Sequence, residues 1–345
     1  MLTLILGAGA SYDSAPQHSS EVAQHNVWRP PLTNDLFGAD QIWFSEVPFP
    51  DELSNVLARI RRETPKNGLE ITLEHLSNEM KDNPRRWGQI LAIQVWISKV
   101  LNACASNWLP DLNGVTTYVD LLNRLGDWRK DKGNPINIIT FNYDTLIDRA
   151  VSKYYSNKIV LNKFAHYITQ DFNIFKPHGS TNWQLKFYHR GNRKSPWDWP
   201  LNDDERNDSS LLISENWKDI QTRNDDRGIT YSLMPAIAIP VVNKSKSDFI
   251  FPPGHRKQMI DNLKSTTAIL IMGWAAAEEH FLSLLNQYVP HNVPVLVVCR
   301  DGGEKATISL ARIGGLNNWF DTKQGVSEFL DTNLLEDWLN NSHIA

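Results

Sequence analysis

The sequence predicts an α/β fold built on a doubly wound parallel sheet. Short apolar runs alternate with helical patterns along most of the chain, and this alternation is typical of parallel sheets. The runs "INIITF" and "VPVLVVC" are apolar at almost every position, which indicates strands buried on both faces. Several runs end in glycine or polar residues, where a chain turns from strand into helix. These observations predict one Rossmann-like domain over residues 1–345, with a helical insertion and a Trp-rich hairpin and loop excursion.

The N-terminal half begins with a strand over residues 1–6 that enters "GAGAS" directly. Apolar residues then recur at helical spacing from Asp51 to Trp108, so we interpret residues 38–115 as a helical insertion. A helix follows near Thr116 to Arg129. The buried strand "INIITF" precedes the helix "DTLIDRAVSKYY", and another strand ends at "IFKPHGS".

The second half opens with residues 181–235, which we interpret as a hairpin and loop excursion, because "WQLKFYH" is its one good strand pattern. The α/β alternation is then expected to return with a strand at "PAIAIPVV" and a helix near 256–265. The strand "TAILIMGW", a helix over 277–289, the strand "VPVLVVC" and a terminal helix near 324–340 complete the prediction.

Composition excludes several classes of protein. A net charge of −4 gives no overall attraction to nucleic acid or to anionic membranes. The two cysteines, Cys104 and Cys299, are too few for a disulfide framework or a four-thiolate zinc site, and both lie in apolar, core-like surroundings. With no apolar stretch near about 18 residues and no secretory leader pattern, we expect a soluble, cytoplasmic protein. Clustered tryptophans suit either a partner surface or local packing (Trp183, Trp197, Trp199, Trp217).

The first candidate site stretch is "LILGAGASYD". Gly7 and Gly9 would let the backbone approach a phosphate, and Ser11 could cap the following helix. The dinucleotide fingerprint has a third glycine where this chain has Tyr12, so an ordinary tight turn is an equal alternative.

A second stretch, "TFNYDT", places Asn142 and Asp144 where a buried strand ends. Ligands of open α/β sheets bind at the carboxyl ends of the strands, so both side chains are candidates for ligand contacts. The alternative is structural: Asp144 would cap the next helix and Asn142 would hold the turn.

Two further strand ends carry candidate residues. In "FKPHGSTNW", His178 is expected to expose its imidazole at the same edge and to suit general-base chemistry near neutral pH. In "ILIMGWAAAEEHF", Gly273 could admit a ribose or phosphate, and Glu278, Glu279 and His280 would open the next helix. Both turns also have ordinary structural explanations.

Together, "GAGAS", "TFNYD" and "KPHGS" resemble, in this order, the motifs of the sirtuin superfamily. More closely, "RPPLTNDLF", "HGSTNW", "IPVVNKS" and "GWAAAEEHF" are similar to bacterial SIR2-like NAD hydrolase domains that act as effectors of anti-phage defence. The likeness runs over nearly the whole chain. It departs at the Gly273 turn, where Trp274, Ala275 and Glu278 replace the Gly-Tyr-Ser-Phe-x-Asp pattern of the relatives.

The resemblance implies roles for individual residues. Asn142 and His178 would be the catalytic pair, Asp144 would contact the nicotinamide side, and Gly7, Ala8, Gly9 and Ser11 would line the phosphates of NAD+. Deacylase sirtuins carry a zinc module of paired cysteines that this chain cannot build, so we expect NAD+ hydrolysis without zinc. The resemblance also suggests a homo-oligomer or a partner sensor protein of the same defence system.

Two other readings are open at this point. One is a non-catalytic module that binds NAD or ADP-ribose as a sensor. The other is a dehydrogenase, which needs an acidic ribose ligand about 20 residues after the glycines, where this chain offers only Glu21 and no clear strand.

Overall fold

The computed structural model describes residues 1–16, 28–83, 86–130, 132–189, 210–214, 220–241, 249–300 and 303–341. Its central feature is a six-stranded, wholly parallel sheet in the order β10-β9-β8-β1-β2-β3. The strands are β1 (Leu2–Leu6), β2 (Ile136–Thr140), β3 (Phe172–Phe175), β8 (Ala268–Met272), β9 (Val295–Val298) and β10 (Trp319–Asp321). The predicted α/β class is confirmed.

The chain leaves the central strand β1 in one direction and returns on the other side. It adds β2 and β3 first, then crosses back to form β8, β9 and β10 beyond β1. The order of strands therefore reverses at β1, and in open sheets such a reversal opens a crevice at the carboxyl ends of the strands.

Helices cover both faces of this sheet. Along β1, Leu4 and Ile5 face opposite sides, and each belongs to a different buried apolar cluster. The helices are α1 (Ala8–Tyr12), α2 (Trp43–Glu46), α3 (Asp51–Asn67), α4 (Leu69–Asp82), α5 (Trp87–Asp111), α6 (Thr117–Arg129), α7 (Leu146–Tyr154), α8 (His255–Lys264), α9 (Glu279–Tyr288), α10 (Gly303–Arg312), α11 (Val326–Leu330) and α12 (Leu334–Asn341). Helices α6 and α7 pack on one face, whereas α8, α9 and α10 pack on the other.

A second, antiparallel sheet has the order β5-β4-β7-β6. Its strands are β4 (Gly179–Tyr188), β5 (Ser210–Ile213), β6 (Gln221–Asn224) and β7 (Thr230–Ile237). The segment α2 to α5 packs on this sheet around a third apolar cluster, to which Trp96, Phe187 and Met234 belong. The division of the chain into an insertion at 38–115 and an excursion at 181–235 stays a prediction.

One expectation for this region is wrong. The run "PAIAIPVV" does not continue the parallel sheet, because β7 ends at Ile237 and pairs antiparallel with β4 and β6. Strands β5 and β6, which the sequence pattern did not reveal, flank the β4–β7 pair. Strand β6 is polar and mostly exposed, so it lacks the apolar pattern that marks a strand in sequence, and β5 (SLLI) is apolar but only four residues long. Trp183 is buried in the core, whereas Trp197, Trp199 and Trp217 lie outside the described residues.

The C-terminal part also differs from the prediction. The single terminal helix expected near 324–340 is two helices, α11 and α12. Helix α10 and the edge strand β10 were not predicted. Cys104 and Cys299 are buried, as their apolar surroundings predict. Across the described ranges, no helix combines the length and apolar character needed to span a bilayer.

Candidate functional site

A cavity of about 600 Å³ opens at the carboxyl ends of β1, β2, β8 and β9, where the strand order reverses. It lies where ligands of open α/β sheets bind. The residues proposed from sequence all contribute to its lining: Gly7, Ala8, Gly9, Ser11, Asn142, Asp144, His178 and Gly273. Their individual roles toward a ligand stay predictions.

The glycines of this site let two turns pack against each other. Gly7 N donates to Met272 O (3.1 Å) and Gly9 N donates to Gly273 O (3.0 Å). A β-carbon on Gly7 would lie 2.6 Å from the Gly273 carbonyl oxygen, and Gly273 itself has a φ of +59°, in the left-handed region that favours glycine. Because two of the amides already donate to the β8 turn, the Ala8 amide is the donor that this turn can still offer to an anion.

Ser11 does not cap a helix, so that expectation is wrong. Helix α1 begins at Ala8 with Gly7 as its N-cap, which places Ser11 inside the helix. The Ser11 hydroxyl is buried and lies 2.9 Å from the Tyr118 hydroxyl of α6. Ser11 therefore ties the first turn of the fold to α6.

Asn142 uses its amide nitrogen to hold the glycine turn. Nδ2 donates to Gly7 O (2.8 Å) and Ser11 Oγ (2.9 Å), and it lies 3.3 Å from the Tyr118 hydroxyl. A backbone carbonyl only accepts hydrogen bonds, so the NH₂ group must face Gly7. This orientation leaves the carboxamide oxygen as the group that Asn142 can offer to a ligand.

Asp144 begins the chain segment that leads into α7. Its Oδ1 accepts a hydrogen bond from Leu146 N (2.9 Å), two residues on, but the N-cap of α7 is Thr145, so the expectation that Asp144 caps the helix is wrong. Burial raises the pKa of the Asp144 carboxyl above its usual value, while Lys176 and the hydrogen bonds from Leu146 and Ser11 act in the opposite direction. Asp144 thus holds the turn before α7 rather than capping the helix, and it also lines the cavity.

Sequence reasoning missed the buried cation that joins the Asp144 and His178 segments. Lys176 Nζ is fully buried and donates to Asp148 Oδ2 (2.9 Å), Asp144 O (2.6 Å) and Ser180 Oγ (2.7 Å). Tyr167 OH donates to the other oxygen of Asp148 (2.5 Å). A lysine in a polar run looks like a surface residue in sequence, and its acidic partner lies on a different element.

His178 occupies the tight turn between β3 and β4. The following Gly179 has a φ of +80°, which an ordinary residue rarely adopts. His178 is only 2% exposed as a residue, so the expected exposure of its imidazole is wrong. It is enclosed by the rings of Phe141 (4.9 Å between centroids), Tyr143 (5.9 Å) and Phe249 (6.0 Å). His178 thus lines the cavity from a largely apolar pocket that excludes bulk water.

Trp274, which replaces the tyrosine expected after Gly273, forms part of the cavity wall. Its indole stacks on Phe141, with 5.2 Å between centroids and 12° between planes. Trp274 Nε1 donates to Glu278 Oε2 (2.6 Å), so Glu278 is held at the start of α9. The altered turn is therefore internally hydrogen-bonded and aromatic.

Four further charged residues line the cavity and were not identified from sequence: Asp13, Arg29, Glu70 and Arg300. Arg29 is held firmly, because its Nε donates to Tyr12 O (2.6 Å) and its guanidinium lies over the Tyr12 ring (4.1 Å). Arg29 opens the quoted run "RPPLTNDLF", and Arg300 follows a buried strand at the site edge. For Arg300, that position directly after a strand was the available signal.

Metal chemistry has no assembled ligand set among the described residues. In those ranges, no group of three or more His, Cys, Asp or Glu side chains is placed to hold a metal ion. The expectation that the protein works without zinc stays a prediction.

Comparison with known proteins gives fold-level likeness alone. No protein-family model matches the sequence, and a search of curated proteins finds no match. The solved structure described as "Sir2Tm bound to a propionylated peptide" aligns over 98% of this chain and 94% of its own, at 12% identity and a TM-score of 0.40. "Sir2 bound to acetylated peptide" aligns over 98% and 94% at 12% identity and a TM-score of 0.37. "Sir2-p53 peptide-NAD+" aligns over 98% and 93% at 13% identity and a TM-score of 0.36. Superpositions this loose leave the function to be argued from the cavity itself.

Proposed function

We propose that the protein is an NAD+ glycohydrolase of the SIR2-like type, which cleaves NAD+ into nicotinamide and ADP-ribose. The observation that carries this proposal is the joint placement of Asn142 and His178 on one cavity at the reversal of strand order. The motif resemblance described above supports it independently. Both lines of support point to a dinucleotide lying across the carboxyl ends of the strands.

The reaction breaks the bond between the nicotinamide nitrogen and the anomeric carbon of the ribose. The bonding electrons leave with the nicotinamide nitrogen, and positive charge develops on the ribose as in glycoside hydrolysis. A water molecule adds to the anomeric carbon and loses one proton. The protein must therefore position the ribose, admit one water molecule and accept that proton.

The two proposed catalytic residues suit these tasks. The Asn142 carboxamide oxygen can accept a hydrogen bond from the water or from a ribose hydroxyl, because its nitrogen is already bound to Gly7. His178 would take the proton from the water. General-base assistance of this kind typically contributes about 10²–10⁴-fold to the rate.

The surroundings of His178 favour this chemistry. The rings of Phe141, Tyr143 and Phe249 limit the access of bulk water to the imidazole. Exclusion of water strengthens electrostatic contacts and restricts side reactions. Asp144 would contact the nicotinamide side of the substrate, as the sequence resemblance implies.

We further propose that the enzyme acts in the bacterial cytoplasm as an abortive-infection effector of anti-phage defence. Loss of NAD+ would stop the growth of an infected cell. Continuous activity would also kill the cell that makes the enzyme, so the activity needs a switch. Assembly into a homo-oligomer or docking of a partner sensor would provide it. This part of the proposal rests on the sequence resemblance alone.

Incubation of the full chain with NAD+, followed by separation of the products, tests the proposed reaction. We expect release of nicotinamide together with ADP-ribose, and at least a 100-fold lower rate for His178→Ala and His178→Gln. His291→Ala changes an exposed histidine outside the cavity and should keep the parental rate. Equal rates for the parent and both His178 variants would overturn the assignment.

Asn142→Ala needs a stability measurement beside its rate. Its amide nitrogen binds Gly7 and Ser11, so its removal should lower the thermal midpoint as well as the turnover. Asn317→Ala, at an exposed position outside the cavity, is the control for the loss of an asparagine. A folded Asn142→Ala protein with full turnover would remove Asn142 from the catalytic pair.

Two observations favour a second function, a non-catalytic sensor of NAD or ADP-ribose. The amide nitrogen of Asn142 is hydrogen-bonded to Gly7 O within the protein, and His178 is almost fully buried. Both facts suit a rigid binding cavity. Tight binding of ADP-ribose without any release of nicotinamide, in the presence of candidate partner proteins, would establish this alternative.

A further inference from the structure

The end of the cavity farthest from His178 is lined by arginine. Arg300 follows β9, whereas Asn142 follows β2, and β8 and β1 lie between these two strands. Three strand spacings separate them, or about 14 Å at about 4.8 Å per spacing. A ligand whose reacting ribose lies at Asn142 therefore brings its opposite end toward Arg300.

Arg300 and Asp13 converge on Gly325, the residue that precedes α11. A β-carbon on Gly325 would lie 2.6 Å from Arg300 Nη2 and 2.5 Å from Asp13 Oδ2. The glycine therefore leaves the space that the guanidinium and the carboxylate occupy. Arg29 lies at the same place, with its Nη2 3.7 Å from Asp13 Oδ1.

The acidic groups of this cluster are already engaged, whereas an arginine retains unused donors. Asp13 accepts hydrogen bonds from Ser327 N (3.2 Å) and Ser327 Oγ (2.8 Å). Glu328 Oε2 lies 3.4 Å from Gly325 N and 3.9 Å from Arg300 Nη2. Within the described part of the chain, the Arg300 guanidinium donates no hydrogen bond to the protein, although it carries five N–H groups.

We infer that Arg300, assisted by Arg29, binds a phosphate on the adenosine ribose, so that the substrate class includes NADP+ and NADP+ is preferred over NAD+. This inference rests on the proposed function, because that function places the reacting ribose at Asn142. The Ala8 amide then lies near the pyrophosphate over β1, and the adenosine ribose extends toward β8 and β9. In related dinucleotide sites, an arginine near this ribose accommodates a 2′-phosphate, whereas an acidic residue binds the unmodified hydroxyl.

Charge and geometry favour the phosphate over the hydroxyl. A planar guanidinium forms paired hydrogen bonds with phosphate oxygens and gains little from a lone hydroxyl. Asp13 is the acidic group that would select NAD+, yet both of its oxygens face the start of α11. Preference for NAD+ through Asp13 is thus the competing outcome.

The test compares kcat/KM for NADP+ and NAD+ in the parent and in Arg300→Glu. We expect a parental ratio above one, and a ratio reduced by about tenfold or more in Arg300→Glu. Arg256→Glu makes the same charge change at an exposed position on α8 outside the cavity and should leave the ratio unchanged. A parental ratio below one, or a ratio that Arg300→Glu does not move, would overturn the inference.

A binding measurement separates this inference from the proposed reaction. Calorimetric titration of the full chain with ADP-ribose and with its 2′-phosphate needs no turnover. If the 2′-phosphate binds more tightly than ADP-ribose and Arg300→Glu removes this difference, the arginine site is supported even when neither dinucleotide is cleaved. Absence of cleavage would then refute only the hydrolase proposal. If NAD+ is cleaved but the two ligands bind equally well, only the arginine site is refuted. If neither ligand binds, the arginine site is also refuted.

Discussion

Replacement of Lys176 by methionine tests the buried charge network beneath the candidate site. The Lys176 ammonium is fully buried and donates to Asp148, to Ser180 and to the backbone oxygen of Asp144. Methionine keeps most of the volume but leaves the Asp148 carboxylate buried without its cation. Removal of one partner of such a pair costs about 3–5 kcal/mol.

The expected change in melting temperature follows from the size of the protein. Unfolding entropy of about 2.1 cal/mol/K per residue gives about 0.7 kcal/mol/K for 345 residues, so Tm should fall by about 4–7 °C in Lys176→Met. Differential scanning calorimetry measures this directly. Lys264→Met breaks an exposed pair with Asp261 of the same length, 2.9 Å, and should change Tm by about 1 °C or less.

A double substitution decides whether the unpaired charge is the cause. In Lys176→Met/Asp148→Asn, the carboxylate that pairs directly with Lys176 is also removed, so the double variant should melt above Lys176→Met alone. The two substitutions should couple by about 1–3 kcal/mol. A double variant that melts lower, by the sum of the two single effects, would refute the reasoning.

Three other predictions concern the cavity and the residues that support it. Tyr118→Phe removes a hydroxyl that contacts Ser11 and Asn142. The kcat for nicotinamide release should fall about tenfold, while KM stays constant and Tm falls by only about 1–2 °C. An unchanged kcat would contradict a positioning role for Tyr118. Gly273→Ala would force a β-carbon into the backbone of α1 at a φ of +59°, so it should lower the free energy of unfolding in denaturant by at least about 3 kcal/mol. Gly133→Ala, at a φ of +76° but with open space around it, should lower it by only about 1 kcal/mol. Similar losses for both variants would show that packing at Gly273 is unimportant. Burial raises the pKa of Asp144 above its ordinary value of 3.8. The contribution of Asp144 to stability is therefore complete below pH 3.8 and is lost as the pH rises through the raised pKa. The Tm of Asp144→Asn minus the Tm of the parent should increase from about pH 4 to pH 7, and a constant difference would contradict the burial effect.

The parallel sheet was predictable because its strands are apolar on both faces. Strands β1, β2, β8 and β9 are completely buried, so their sequences carry an unmistakable apolar run. The same apolar run led to a wrong prediction of parallel pairing at β7. The second half of β7 is also fully buried, beneath α5, and apolar content does not distinguish parallel from antiparallel pairing. Strand β10 escaped because it has three residues and exposes its aromatic side chains.

The candidate site was predictable where strand ends carry unusual residues. Asn142, Asp144 and His178 follow apolar strands directly, so the topology alone brings them to one edge. Tyr118 and Lys176 were not predictable, because their partners lie on other elements: the Tyr118 hydroxyl contacts Ser11, and the Lys176 ammonium pairs with Asp148. Which of two buried polar groups holds the other depends on tertiary packing, and the sequence pattern does not carry that information.

A crystal structure of the protein with ADP-ribose bound tests the central claim most directly. The account predicts that the anomeric carbon of the distal ribose lies in the cavity, with the Asn142 carboxamide oxygen and the His178 imidazole each within about 3.5 Å of that carbon or of a water beside it. A ribose bound elsewhere on the protein, or a cavity that stays empty at saturating ADP-ribose, would contradict it.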